Sequence, residues 1–105
     1  MKTAKLQIQI TAAQTHHIVR EASVWPWWRA QQGVDDADPV WFVDEVREGG
    51  GVIEREIDWS RGVELLLSGR CGAIDLRLFD VDFGGVSDSA DRFLQFCVFG
   101  DTVYG

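Results

Sequence analysis

Three carboxylates lie at alternate positions in the middle of the chain. Glu54, Glu56 and Asp58 occupy every second position, so on a strand they share one face with about 7 Å between neighbours. Two carboxylates at this kind of separation can hydrolyse a glycosidic bond. The 105-residue chain has no evident insertion that would form a cleft around them. A solvated strand face, or an acidic ladder that binds a partner, is therefore the preferred interpretation.

Nucleophilic and metal-ligating side chains are few and poorly spaced. Cys71 lies in a turn-rich segment without an activating neighbour, and Cys97 lies in an apolar run that would not hold a thiolate. His16 and His17 are adjacent, so on a helix they point about 100° apart and do not chelate one ion. We predict neither thiol catalysis nor a zinc site, and we expect both histidines to lie at the surface. One Cys71–Cys97 bridge is conceivable, but buried free thiols are favoured in a reducing compartment.

The segment 80–91 has the outline of a calcium-binding loop. Oxygen-bearing side chains occupy its positions 1, 3, 9 and 12, and a glycine occupies position 6. Gly84 at position 5 offers no side-chain oxygen, and Asp91 at position 12 is too short for easy bidentate coordination. The preceding residues alternate like a strand, whereas this motif requires a helix. A solvated acidic loop is therefore expected, with no metal or other cofactor.

Tryptophan is concentrated beside the acidic middle of the chain. Trp25, Trp27 and Trp28 lie within four residues, around a proline that fixes the local backbone. Because three indoles so close together cannot all point inward, at least one is expected to be partly exposed. Exposed tryptophan is a typical anchor of protein interfaces, and a tryptophan cluster can also stack on a sugar or another small molecule.

Charge is distributed unevenly along the sequence. Residues 1–34 carry four basic residues against one acid, a net charge of +3, whereas residues 35–64 carry ten acids against three arginines, a net charge of −7. The whole chain also has a net charge of −7, which argues against nucleic acid and against anionic membranes as partners. Acidic side chains beside exposed aromatic rings instead suit a basic protein partner.

The elements that must position these residues follow from periodicity. Residues 5–10 alternate polar and apolar side chains and predict a strand. Thr11 is a suitable cap for a short helix that continues through Ala22, and the Trp25-Pro26 pair would stop it. Residues 31–39 are polar and acidic and predict a loop.

The segment 39–48 supports two interpretations. A helix could open at Pro39 and end at Gly49, whereas the β-branched and aromatic run 40–43 favours a strand. Glycines followed by alternating residues are typical of a hairpin, which we prefer. The alternation predicts three buried apolar side chains opposite the exposed carboxylates: Ile53, Ile57 and Trp59.

The rest of the chain completes the predicted fold. Residues 63–67 and 73–83 flank a turn-rich link and predict a second hairpin. Residues 93–99 are almost entirely apolar and predict a strand buried on both faces or a short buried helix. The expectation is one α+β domain over residues 1–105, with a mainly antiparallel sheet of about five to six strands and one short N-terminal helix packed on one face.

Location and function are inferred from composition. No apolar run approaches the roughly 20 residues of a membrane-spanning helix, and residues 1–10 lack the apolar core of a secretory signal. We therefore expect a cytoplasmic protein. Nothing in the sequence fixes its oligomeric state.

The leading functional hypothesis is a non-enzymatic binding domain of the inhibitor or immunity type, which occludes a basic partner such as a nuclease toxin. The alternative is a small-molecule or carbohydrate-binding module built on Trp25, Trp27 and Trp28. Under the leading hypothesis, acids would pair with the partner's lysines and arginines, and a tryptophan would supply an apolar anchor. The expected partner-binding residues are Asp44, Glu45, Glu54, Glu56, Asp58, Trp28 and Trp41.

Overall fold

The computed structural model describes residues 10–31 and 37–104. In chain order its elements are α1 (Ala12–Ala22), β1 (Trp28–Ala30), β2 (Phe42–Val46), β3 (Val52–Glu56), α2 (Trp59–Leu67), a 3-10 helix (Leu76–Phe79) and α3 (Ser87–Phe99). The described part of the chain is α+β, with three α-helices and one three-stranded antiparallel sheet in the order β1-β2-β3. The prediction of five to six strands with one helix is therefore wrong. None of these helices is long and apolar enough to cross a bilayer.

Helix α1 begins and ends as predicted. The Gln14 N–H donates to Thr11 Oγ1 at 3.2 Å, and the Thr11 N–H donates to Gln14 Oε1 at 2.9 Å. This reciprocal capping box satisfies two backbone N–H groups that the start of a helix otherwise leaves without an acceptor. Ile18 and Ala22 on its inner side are fully buried. The strand predicted over 5–10 lies outside the described residues except for Ile10, as does the central part of the predicted loop 31–39.

The hairpin preferred over the helix for segment 39–48 is confirmed. Strands β2 and β3 pair antiparallel, with Phe42 opposite Glu56 and Val46 opposite Val52. At the turn, the Gly50 N–H donates to the Arg47 carbonyl at 3.1 Å. The two glycines of this turn have φ values of 91° and 90°, a region that other residues rarely adopt. Glycine is thus required where the chain reverses.

The predicted second hairpin is wrong. Residues 63–67 belong to α2, and residues 73–83 form loops around the 3-10 helix. Asp58 caps α2 by accepting the Arg61 N–H at 3.0 Å. Trp59, Val63 and Leu66 recur at helical spacing and form the inner side of α2, and this periodicity was masked by the strand-like alternation that runs into it from β3.

Helix α3 is the centre of the core, and both α1 and α2 pack on it. Phe93, Leu94 and Cys97 of α3 are fully buried. A Cβ at Gly62 of α2 would collide with the Cys97 Sγ and would lie 3.3 Å from the Phe93 ring. The glycine therefore permits the close approach of α2 to α3. Of the two interpretations of residues 93–99, the buried helix is correct, but it begins earlier, at Ser87.

Candidate protein-binding surface

The register of the hairpin determines which side chains share its exposed side. Cross-strand partners lie on the same side of an antiparallel sheet. The pairs Asp44–Glu54 and Phe42–Glu56 share one side of the hairpin, and Val43 is buried on the other side. We call this exposed side of the hairpin the acidic face. Its members are Phe42, Asp44, Val46, Val52, Glu54 and Glu56.

Two carboxylates of the acidic face lie directly opposite each other. Asp44 and Glu54 are register partners, and the Gln31 Nε2 donates to both, at 3.0 Å to Asp44 and 2.8 Å to Glu54. Within the described residues, neither of them nor Glu56 forms an ion pair. Arg29 is the register partner of Asp44 on β1, yet no ion pair joins them. Like charges opposite each other destabilise a sheet, so this arrangement costs the fold stability.

Large apolar side chains border these carboxylates. Val52 and Phe42 belong to the acidic face and are exposed. Trp41, directly before β2, is 51% exposed. Exposed aromatic and aliphatic groups beside carboxylates provide the mixed chemistry of a protein interface. Phe42 and Val52 are not among the binding residues expected from the sequence. Each lies two positions from Asp44 or Glu54 on the same strand, so the alternation of a hairpin indicates that both share the side of these carboxylates.

Glu45, an expected partner-binding residue, lies on the opposite side and is only 3% exposed. Its carboxylate accepts a hydrogen bond from Arg55 Nε at 2.9 Å and from the Tyr104 hydroxyl, and Arg47 lies at 3.7 Å. Burial alone raises the pKa of Glu45, but these hydrogen bonds and the two arginine charges outweigh burial, so its pKa is lowered. Glu45 therefore supports the hairpin from behind.

Trp28, the other interior member of the expected set, is 5% exposed. It lies opposite Glu45 in the β1–β2 register. Trp27 is also buried: its Nε1 donates to Asp91 Oδ1 at 2.6 Å, and its ring stacks on Tyr104 with centroids 5.3 Å apart. The partly exposed tryptophan expected from the sequence is Trp25, which is half-buried. No stacking platform forms from Trp27 and Trp28.

The burial predicted for residues 53–59 is only partly correct. Ile57 and Trp59 are buried and Glu54, Glu56 and Asp58 are exposed, as predicted. Ile53 was expected to be buried but is 39% exposed. It lies nearer the hairpin turn, and the helices pack extensively on one another rather than on β3. Asp58 follows β3 and serves as the cap of α2, so it lies beside the acidic face rather than on it.

The other candidate sites do not assemble. Within residues 10–31 and 37–104, no three metal-ligating side chains converge. Residues 87–91 of the calcium-like segment are the first turns of α3, and Asp91 is buried there with Trp27 and Gln95 as hydrogen-bond partners. Burial raises the pKa of both thiols, and Cys71 and Cys97 are free. Asp91, Cys71 and Cys97 are buried.

One cavity of about 240 Å³ lies beside α1, lined by Ala13, His16, His17, Arg20 and Val81. The expectation of two surface histidines is wrong for His17, which is buried. His16 is half-buried, with Nε2 2.7 Å from the Asp38 carbonyl oxygen. The cavity brings together no nucleophile, base and orienting group of the kind that catalysis requires.

Comparison with known proteins found no matching family model, no matching curated protein and no matching solved structure. Function is therefore inferred from the chemistry of the acidic face.

Proposed function

We propose that this protein is a binding domain of the inhibitor or immunity type, which occludes a basic protein partner such as a nuclease toxin through the acidic face. The observation that carries the proposal is the opposed pair Asp44 and Glu54, bordered by Glu56 and by exposed apolar side chains, with no ion pair inside the described structure. A lysine or arginine of a partner would supply the missing charge.

The position of Gln31 supports the proposal that the acidic face binds a cation of the partner. Its amide nitrogen already donates to both opposed carboxylates, which shows that one N–H donor group can satisfy the two together. An ammonium or guanidinium group at the same position would form stronger, charge-assisted hydrogen bonds. A partner cation would therefore relieve the repulsion between Asp44 and Glu54 that the free protein retains.

Occlusion follows from the chemistry that carboxylates share with phosphates. Arginine and lysine bind both groups, so a nuclease surface that holds the phosphates of a nucleic acid is also suited to this acidic face. The charges would accelerate encounter, while burial of Trp41 and Phe42 would slow release. The protein would act by covering its partner, without catalysis of its own. The free thiols of Cys71 and Cys97 favour the cytoplasm as the place of action.

The alternative of a sugar or small-molecule module has less support. Stacking requires accessible ring faces, and both Trp27 and Trp28 are buried. A module built on Trp25, Trp27 and Trp28 would have to open the core before it could bind.

Capture at low salt from the source cells tests the proposal. The wild type is compared with the Glu54→Lys/Glu56→Lys variant and with a matched Glu64→Lys/Asp82→Lys control, which reverses two exposed acids elsewhere. The expected result is a basic nuclease that the wild type and the control both retain and inhibit, and that the hairpin variant does not. Equal capture and inhibition by all three proteins would contradict the acidic face as the binding site.

A further inference from the structure

Strand β3 is an edge of the sheet within the described structure. It pairs with β2 on one side, and no described element pairs with its other side. An edge strand presents unpaired backbone donors and acceptors, which can bind another extended chain. The five residues of β3 are long enough for such an addition.

The hydrogen bonds that flank the hairpin show which backbone groups face outward. The Arg47 N–H donates to the Gly51 carbonyl at 2.7 Å, and the Ile57 N–H donates to the Trp41 carbonyl at 2.7 Å. Hydrogen-bonded and non-hydrogen-bonded pairs alternate along an antiparallel ladder. Ile53 and Arg55 therefore bond to β2, and the backbone groups that point to the free edge belong to Val52, Glu54 and Glu56.

The residues with outward-facing backbone groups are also members of the acidic face. In an added antiparallel strand, the residues that exchange hydrogen bonds with Glu54 and Glu56 would place their side chains directly opposite these two carboxylates. Backbone pairing and side-chain recognition would thus occur at the same positions.

Charge decides which strand can occupy the edge. If two copies of β3 paired antiparallel around Glu54, that residue would face its own copy, and like charges opposite each other are destabilising. Acidic side chains on an edge are a known guard against such self-pairing. A strand with lysine or arginine at alternate positions would instead pair favourably, because each cation would face a carboxylate.

We propose that the basic partner binds by strand addition, with one extended segment antiparallel to the free edge of β3. This segment would carry lysine or arginine opposite Glu56 and Glu54, and apolar residues opposite Ile53 and Val52, which are both exposed. The proposal rests on the proposed function and adds the conformation and sequence pattern of the bound segment.

The test uses a labelled, end-capped synthetic peptide with the core Lys-Thr-Lys-Val-Val, measured by fluorescence anisotropy at low salt. Its first lysine is placed opposite Glu56 and its second opposite Glu54. N-methylation of the second lysine removes an N–H that would point to β3, whereas N-methylation of the threonine alters an N–H that would point to solvent. Both modified peptides keep the same charge.

Strand addition predicts a positional effect. The lysine-methylated peptide should bind at least about tenfold more weakly than the unmodified one, and the threonine-methylated peptide should bind within about twofold of it. Val52→Pro should weaken the unmodified peptide similarly, because this proline removes an outward N–H at the first residue of an edge strand, where proline is tolerated. Circular dichroism checks that the variant is folded.

Three results would overturn strand addition. The first is equal binding of the two methylated peptides; if Glu54→Lys/Glu56→Lys then abolishes binding of both, the proposed function stands without this binding mode. The second is no binding of the unmodified peptide at low salt. The third is self-association of the wild type that Val52→Pro abolishes, which would assign the edge to a second copy of this chain.

Discussion

The hydroxyl group of Tyr104 donates a hydrogen bond to the carboxylate of Glu45, 59 residues earlier in the chain. The backbone N–H groups of Val103 and Tyr104 both donate to Gln95 Oε1 at 2.8 Å, so α3 holds the tyrosine in place. Glu45 belongs to the side of β2 that faces away from Asp44. The acidic face is therefore supported from behind by a polar network that connects the hairpin to α3.

Tyr104→Phe should destabilise the protein without changing the acidic face. The substitution removes a hydrogen bond to a buried carboxylate, which we expect to lower the free energy of unfolding by about 1–2 kcal/mol. Urea denaturation measures the change, with Val103→Ala as the control at an exposed neighbouring position. Equal stability of Tyr104→Phe and the wild type would show that the contact contributes nothing in solution.

The Glu45 network also predicts how stability depends on pH. Burial raises the pKa of Glu45, but hydrogen bonds from Tyr104 and Arg55 and the charges of Arg55 and Arg47 outweigh burial, so the pKa of Glu45 is lowered in the folded protein. A carboxyl group with a lowered pKa stabilises the fold above its unfolded pKa, and this contribution is lost as the pH falls through the folded pKa. The unfolding free energy should therefore decrease as the pH falls below the unfolded pKa of glutamate, about 4.3.

Glu45→Gln identifies the source of that dependence. The variant should be less stable than the wild type at pH 7, and the difference should shrink in acid because glutamine does not titrate. Asp91 acts in the opposite direction, since burial raises its pKa and its protonation favours the folded state. Urea titrations at a series of pH values measure the unfolding free energy of the wild type and of Glu45→Gln. A difference between the two proteins that stays constant with pH would exclude Glu45 as the titrating group.

Gly62→Ala should be strongly destabilising because a Cβ at this position collides with Cys97 and approaches the Phe93 ring. Overpacking of this kind typically costs about 1–3 kcal/mol. Gly84→Ala is the matched control, since a Cβ there meets nothing within 4 Å. Combining Gly62→Ala with Cys97→Ala should recover part of the loss in a double-mutant cycle; simple additivity would contradict the collision.

Local sequence signals predicted the elements that depend on neighbouring residues. The capping pair Thr11 and Gln14 specifies the start of α1, and period-two alternation with a glycine turn specifies the β2–β3 hairpin. These elements are determined by hydrogen bonds and turn conformations within a few residues. The exposure of Glu54 and Glu56 followed directly from the alternation.

Other features depend on contacts that the sequence pattern does not contain. Residues 74–78 alternate like a strand, but Asp75 caps the 3-10 helix by accepting the Arg77 N–H at 3.0 Å and also pairs with the Arg77 side chain. The burial of Glu45 depends on Tyr104 and Arg55. Glu45 lies in an acidic segment, so the sequence predicts a surface position for it. Its hydrogen-bond partners lie elsewhere in the chain and hold its carboxylate inside.

Trp41→Ala should increase the rate of dissociation from a basic partner. This indole is 51% exposed, so its removal should affect binding more than folding, and truncation of an aromatic anchor commonly costs about 2 kcal/mol of binding energy or more. Surface plasmon resonance measures the rate, with Leu76→Ala as the control at another exposed apolar residue. Trp28→Ala should instead lower stability because that ring is buried. Equal dissociation rates for Trp41→Ala and Leu76→Ala would exclude Trp41 as the anchor.

The association rate as a function of ionic strength tests the acidic face most directly. With the basic partner obtained by capture, stopped-flow association is measured for the wild type, Glu54→Lys/Glu56→Lys and the Glu64→Lys/Asp82→Lys control. The hairpin variant should associate at least about tenfold more slowly at low salt, and the difference should diminish as salt screens the charges. An association rate that is equal for the hairpin variant and its control at every ionic strength would exclude the acidic face as the surface that binds the basic partner.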